Sequence, residues 1–320
     1  MNRFLSITAL VVSLIPATAT AASAPVHTAV TTILTVDGVS CGAVARWEGG
    51  DMRLAIRNTA AGRSLGSPSC AAATVDVAIP AAPPLMGLID DLCAAGGKRA
   101  TLVLADVPSG ATKEVSGLEV RQALLTEVRF PALGGGAKDP LRLTLVFQGE
   151  SSRTVAIEPP AAGFAGRLAV VTALQFEVPG VDLSGVNRLE PFSIKRPVET
   201  STMGPGNQPA IIPSGRVEFP GFLATLPADK AADLAAWRDA AVNGSMSTAQ
   251  NKKNGSLNLL SASSKIICTL EITGLGIMRL SVVPTASPAT RTMQAEFLCD
   301  RIKIVVPPAS AEGSSHASFQ

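Results

Sequence analysis

A chain of 320 residues that is 47% hydrophobic and only 16% charged can bury a large core, which excludes wholesale disorder. A formal net charge of +2, no Tyr and 4% aromatic residues exclude a basic nucleic-acid binder with base-stacking platforms, and argue against an aromatic-lined sugar site. The length suggests about two domains, and the abundance of Val, Thr, Gly and Pro points to short strands joined by tight turns.

In chain order, Asn2 and Arg3 precede an apolar run from Phe4 to Ile15, then Pro16 and the small residues 17–22. Ala19-Thr20-Ala21 has the A-x-A form of a cleavage site, so a signal peptide over 1–21 and an exported chain, periplasmic or extracellular, are expected. The alternative is an uncleaved anchor, but the run is shorter than the ~20 residues of a spanning helix. No later segment qualifies, so no membrane span is expected in the mature chain.

The mature chain opens on a strand, TTILTVDGV, with a second apolar patch around Val44. Leu85, Leu88, Ile89 and Leu92 recur at helical spacing behind prolines, and Gly96-Gly97 closes that helix. Strands follow in ATLVLADV, EVSGLEVRQALLTEVRF and LRLTLVF (Leu141–Phe147), and EPPAAGFAG (Glu158–Gly166) reads as a linker. The same order then returns. LQFEVPGV opens it, a patch around Val186 follows, and Leu234, Trp237 and Ala241 mark a helix between Pro227 and Gly244. Strands GSLNLLSA, KIICTLEITGLGIMRLSVV and TMQAEFLCDRIKI (Thr292–Ile304) complete it. The Gly- and Pro-rich stretch 200–214 reads as an inserted loop, and Pro307–Gln320 as a disordered tail.

One phrase occurs twice, EVSGLEV (Glu114–Val120) and EITGLGI (Glu271–Ile277). In each a glycine, Gly117 or Gly274, interrupts an alternating strand and is read as a bulge. Together with the ordered landmarks, this predicts a tandem duplication.

Export places the five cysteines where disulfides persist. Cys268 and Cys299 are alone in the second half and are expected to pair. One bond is expected among Cys41, Cys70 and Cys93, Cys41–Cys70 being preferred. The alternative leaves all five reduced and buried. There is no C-x-x-C pair, and the two histidines, His27 and His316, sit near the chain ends, so no metal site is expected. GxSxG, HExxH and P-loop motifs are absent. Asp90-Asp91 reads as a solvated face, Trp237 as core, Asn254-Gly255 as a hairpin turn and Lys252-Lys253 as a solvated loop. No enzyme activity and no cofactor are expected.

In the second half GRVEFPGFLATLP (Gly215–Pro227), the helix through Trp237, KNGSLNLLS (Lys253–Ser261) and CTLEITGLGIMRL (Cys268–Leu280) stand in order behind VPGVDLSGVNRLEPFSIKR. Together they resemble the tail tube proteins of contractile-tailed phages and their relative, the type VI secretion tube protein. The first half resembles the same family in more diverged form, so the likeness spans nearly all of 31–305. The resemblance implies a mainly β chain with one helix per repeat and two tandem tail-tube-like β-sandwich or β-barrel domains, at 28–157 and 167–306, with the linker at 158–166. It also implies six-membered rings that can stack into a tube, with no catalytic residues. The chain departs from that family in being doubled and exported. Three two-domain chains would supply six domains, so a homo-oligomer, as a pseudo-hexameric trimer, is one expectation. Other envelope or secreted proteins are further candidate partners. The alternative is a monomeric binding or adhesion module that kept the fold without the ring.

Overall fold

The computed structural model describes residues 30–59, 62–134, 136, 138–159, 168–201, 210–243, 251–283 and 291–307. The expected signal peptide 1–21, linker residues 160–166, loop residues 202–209, the tail from 308 and both histidines lie outside them.

The first half runs β1 (Val30–Val36), β2 (Val39–Ala43), β3 (Arg46–Gly49), β4 (Met52–Thr59), β5 (Gly62–Cys70), β6 (Ala73–Ala78), α1 (Pro83–Cys93), β7 (Arg99–Pro108), β8 (Val115–Phe130), β9 (Leu133–Gly134), β10 (Arg142–Gln148) and β11 (Ser151–Ile157). The second runs β12 (Ala173–Glu177), β13 (Arg188–Leu189), β14 (Phe192–Lys195), β15 (Val198–Ser201), β16 (Ala210–Pro213), β17 (Phe222–Pro227), α2 (Ala232–Val242), β18 (Lys253–Leu260), β19 (Ile266–Val283), β20 (Thr292–Leu298) and β21 (Arg301–Val305). The described chain is thus mainly β with two helices, its large sheets barrel-like. TTILTVDGV, expected as one strand, folds back at Asp37-Gly38, whose φ values of 50° and 78° suit the tight turn of a hairpin. In α1 the stripe Leu85, Leu88, Ile89 and Leu92 is fully buried.

The first sheet has the order β2-β1-β7-β8-β10-β6-β3. The second reads β12-β18-β19-β20-β17-β13-β9. With the end strands β2 and β9 set aside, exchanging β1 for β12, β7 for β18, β8 for β19, β10 for β20, β6 for β17 and β3 for β13 converts one order into the other. The likeness extends to defects. The β7–β8 ladder shifts register between Ala100 and Leu102, and the β18–β19 ladder between Lys253 and Gly255. β10 and β11 lie end to end along one edge of β8, as β20 and β21 do along β19. At the two breaks Glu150 N–H donates to Arg121 O, and Asp300 N–H to Thr273 O. Just beyond those acceptors the long strands take a left-handed residue, Gln122 (φ 50°) and Gly274 (φ 67°).

That register corrects the repeated phrase. Gly274 stands at the bend and donates its N–H to Asn254 Oδ1 at 3.2 Å. Its counterpart is Gln122, whereas the counterpart of Gly117 is Thr269. Gly117 lies in unbroken register between Ala105 and Val155 and is not a bulge. A Cβ there would come within 3.2 Å of Ala105 Cβ and Leu104 O, so close approach, rather than a bend, favours glycine. The two phrases share equivalent strands but not equivalent positions.

Asn254-Gly255 is likewise no hairpin turn. Both residues belong to β18, and a Cβ on Gly255 would meet Glu177 O at 2.8 Å where β12 packs. Nor are the two lysines merely solvated. Lys252 bonds Asp300, and Lys253 donates to Pro179 O while lying 5.8 Å over the buried Trp237 ring.

Candidate assembly interface

Among the described residues, two strands cross between halves. β9 joins the second sheet through β13, pairing Leu133 with Leu189. β14 joins the first sheet and runs antiparallel to the end of β8. β7 covers one edge of β8 as far as Leu124, and β14 continues that edge. Phe192 pairs with Phe130, Ile194 with Val128 and Lys195 with Glu127; Arg196 N–H then donates to Thr126 O at 2.7 Å.

Side chains reinforce this ladder. Phe130 and Phe192 stack with centroids 4.5 Å apart and planes 9° from parallel. Phe192 then meets Phe222, Phe222 meets Phe297 and Phe297 meets Trp237, so one aromatic chain leads from the first sheet to α2. Further along, Ile211 N–H in β16 donates to Glu150 Oε1 at 3.1 Å, and Ile211 O accepts from Arg99, which is itself paired with Glu150.

Arg196 is the one buried charged residue among the described core. Its Nη2 donates to Asp91 O at 3.3 Å and lies 3.7 Å from Asp91 Oδ2. Burial pulls its pKa down, with Asp91 opposing. Asp90 is exposed, but Asp91 is not on a solvated face as the sequence suggested: it is the counter-charge for an arginine of the other half.

Glu127 accepts from Arg129 at 2.8 Å and faces Lys195 Nζ at 3.4 Å. Burial pushes its carboxyl up, but hydrogen bonds from Arg129 and Ser193 and the charges of Arg129 and Lys195 outweigh that and hold it below the usual value. A folded-state pKa below the unfolded one stabilises above the unfolded value, and that stability is lost as pH falls through the folded one. Glu127→Gln is therefore expected to cost about 1 kcal/mol in urea unfolding at pH 6.5, and progressively less as pH falls through the folded-state pKa of that carboxyl.

The second half lacks this closure. β18 covers one edge of β19 up to Leu275. From Gly276 to Val283, β19 has β20 on one edge and, among the described residues, no strand on the other. β4, which follows β3 as β14 follows β13, pairs among the described residues only with β5.

All five cysteines are buried free thiols, so the expected Cys268–Cys299 and Cys41–Cys70 bonds do not form in this structure. Cys268 pairs with Leu259 across β18–β19. Cys299 lies beside Asp300, which bonds Thr273 several residues along β19. At ~3.3 Å per residue the two are separated well beyond the ~7 Å Cα limit of a disulfide. Cys41 bonds Val39 O near β1, whereas Cys70 bonds Gly50 O. Burial pushes Cys41 up to about 11 and Cys93, Cys268 and Cys299 up to about 12. Thiolates are the reactive form, so these thiols are protected even in an oxidising compartment. A thiol reagent is expected to leave the native protein unmodified and to label all five after unfolding without reductant. Fewer than five would reveal bonds.

A surface hollow of about 430 Å³ is lined by residues 175–179 and 181–184. Of its acids, Asp182 accepts the Ser184 N–H at 2.9 Å, which ties it to a local turn. No group of His, Cys, Asp and Glu among the described residues is placed to hold a metal, and no described helix is long and apolar enough to cross a membrane.

No protein-family model and no curated protein matches the chain. Among solved structures it is similar to a chain of the PVC sheath–tube complex of an extracellular contractile injection system in the extended state. Identity is 14% and the TM-score 0.35, over 43% of this chain and 91% of that one. It is also similar to a chain of the anti-feeding prophage baseplate (13%, TM-score 0.31, 47% and 98%). Hcp1 from Flavobacterium johnsoniae is a third (14%, TM-score 0.31, 40% and 99%).

Proposed function

We propose that the protein is an exported, non-catalytic structural module of the tail-tube type, formed by two tandem domains at 28–157 and 167–306, that associates head to tail with its own copies into a ring or tube. One observation carries the reading: the contact between its halves is heterologous. β14 of the second half adds to β8 of the first, so unlike surfaces of equivalent units meet. A two-fold contact would satisfy itself in one pairing. A heterologous one leaves a donor and an acceptor unused, and closes only by repetition around an axis. With two units per chain, a six-unit ring takes three chains, and covalent linkage raises the effective concentration of the second unit.

Light scattering on the mature protein is the test, with about three chains per particle expected. A strict monomer at high concentration would overturn the ring and favour a binding module. N-terminal sequencing should find cleavage after Ala21, and an intact Met1 on soluble protein would remove the export reading.

A further inference from the structure

We infer that the open edge of β19 receives β4 of a second copy of this chain, in the register that β14 takes on β8; this rests on the self-assembly proposed above. The register comes from the chain's own internal contact. Arg46-Trp47-Glu48 and Arg188-Leu189-Glu190 occupy equivalent places, with Trp47 paired to Val75 of β6 and Leu189 to Ala224 of β17. Each arginine bonds the glutamate two residues on, at 2.7 and 2.9 Å. Counting forward, Met52 stands where Ile194 stands, Arg53 where Lys195 does and Leu54 where Arg196 does.

On the receiving strand the ladder with β10 skips Thr126, and the ladder with β20 skips Met278. Arg279, Leu280 and Val282 therefore stand where Glu127, Val128 and Phe130 do. Met52 of one copy falls opposite Leu280 of the next, and Leu54 opposite Met278.

Exposure separates the filled slot from the empty one. Phe130 is 2% exposed and its counterpart Val282 60%. Ile194 is fully buried, whereas Met52 is 40% exposed and Leu54 53%. At the helix ends Cys93 is 2% exposed and its counterpart Val242 75%. These apolar residues are bare where their equivalents are covered by the other half.

The chemistry changes on both sides together. Within the chain the buried Arg196 reaches Asp91 near the end of α1. In the empty slot Leu54 replaces that arginine, and Ala240 and Val242 replace Asp91 and Cys93. A polar pair has become an apolar one, donor and acceptor altered in step. Where Lys195 faces Glu127 within the chain, Arg53 would face Arg279, and each arginine brings its own carboxylate to neutralise it, Asp51 at 3.0 Å and Glu296 at 3.2 Å. The Lys252–Asp300 pair repeats Arg99–Glu150, the pair that β16 caps within the chain. An apolar strand edge left open would invite indiscriminate pairing, and a second copy is the occupant whose donor strand brings Met52 and Leu54 to the apolar positions Leu280 and Met278 of this slot.

The test mixes two single variants, Met52→Cys and Leu280→Cys, under mild oxidation, beside light scattering of the wild type and of Val242→Glu. Covalent dimers are expected from the mixture and from neither variant alone, because the native cysteines are buried. Val242→Glu, at a position 75% exposed in the single chain, should keep the wild-type far-UV circular dichroism spectrum and sediment as a single chain. A multi-chain wild type whose mixed variants do not cross-link, and whose size ignores Val242→Glu, would overturn this surface while leaving self-assembly standing. A wild type that is monomeric at every concentration would overturn both.

Discussion

Replacing Phe192 with Ala should lower the unfolding free energy by about 3–5 kcal/mol, a large part of the ~5–15 kcal/mol typical of a folded domain. Phe192 comes from the second half, yet it stacks face to face on Phe130 of the first at 4.5 Å and approaches Phe222 at 6.1 Å. Both neighbours are strand residues held in ladders, so neither can move into the vacated space. The loss is therefore that of the buried ring plus an unfilled cavity. β14 should also gain solvent exchange at its amides, because the ladder to β8 loses its apolar clasp. Val282→Ala, at the position equivalent to Phe130, should cost the isolated chain under about 0.5 kcal/mol, since exposed sites away from special features rarely cost more. Urea unfolding of both variants is the measurement. A loss below about 1 kcal/mol for Phe192→Ala would show that the halves do not depend on this stack.

The second large effect belongs to Asp91. Removing it as Asp91→Ala strips Arg196 of its carboxylate in a nearly solvent-free site, and breaking such a pair from one side costs ~3–5 kcal/mol. Arg196 already has a buried Nη1 without a partner, so there is little to compensate. Asp91 also accepts the Lys98 N–H at 2.9 Å, which adds the loss of a local bond. The double variant Asp91→Ala/Arg196→Met should recover most of the deficit, because an apolar side chain in that site carries no unpaired charge. What remains should match the Lys98 bond, about 1 kcal/mol. Denaturant midpoints of the two single variants and the double form the cycle. A double variant no more stable than Asp91→Ala would assign the loss to the turn after α1 instead of the ion pair.

Sequence periodicity by itself determined both helices. Leu85, Leu88, Ile89 and Leu92 bury one face of α1, and Leu234 and Trp237 do so in α2, because helical spacing is a local property. The long apolar strands β7, β8, β10, β18 and β19 were legible for the same reason, as was the recurrence of one order of elements. Short strands such as RWEG in β3, VETS in β15 and the two residues of β13 were not, since their state is imposed by the strand beside them. Only the tertiary structure decided the register of the repeat. A bend carried by glycine at 274 is carried by glutamine at 122, where the surrounding ladder holds a left-handed backbone that composition does not announce. It also decided the thiols, since pairing depends on distance in space and not on which half holds two cysteines. Most of all it decided the interface. Nothing in FSIKR marks a strand that crosses to the other sheet, or an arginine destined for burial, because both follow from partners remote in sequence. The open edge of β19 could be recognised only by seeing its filled counterpart on β8.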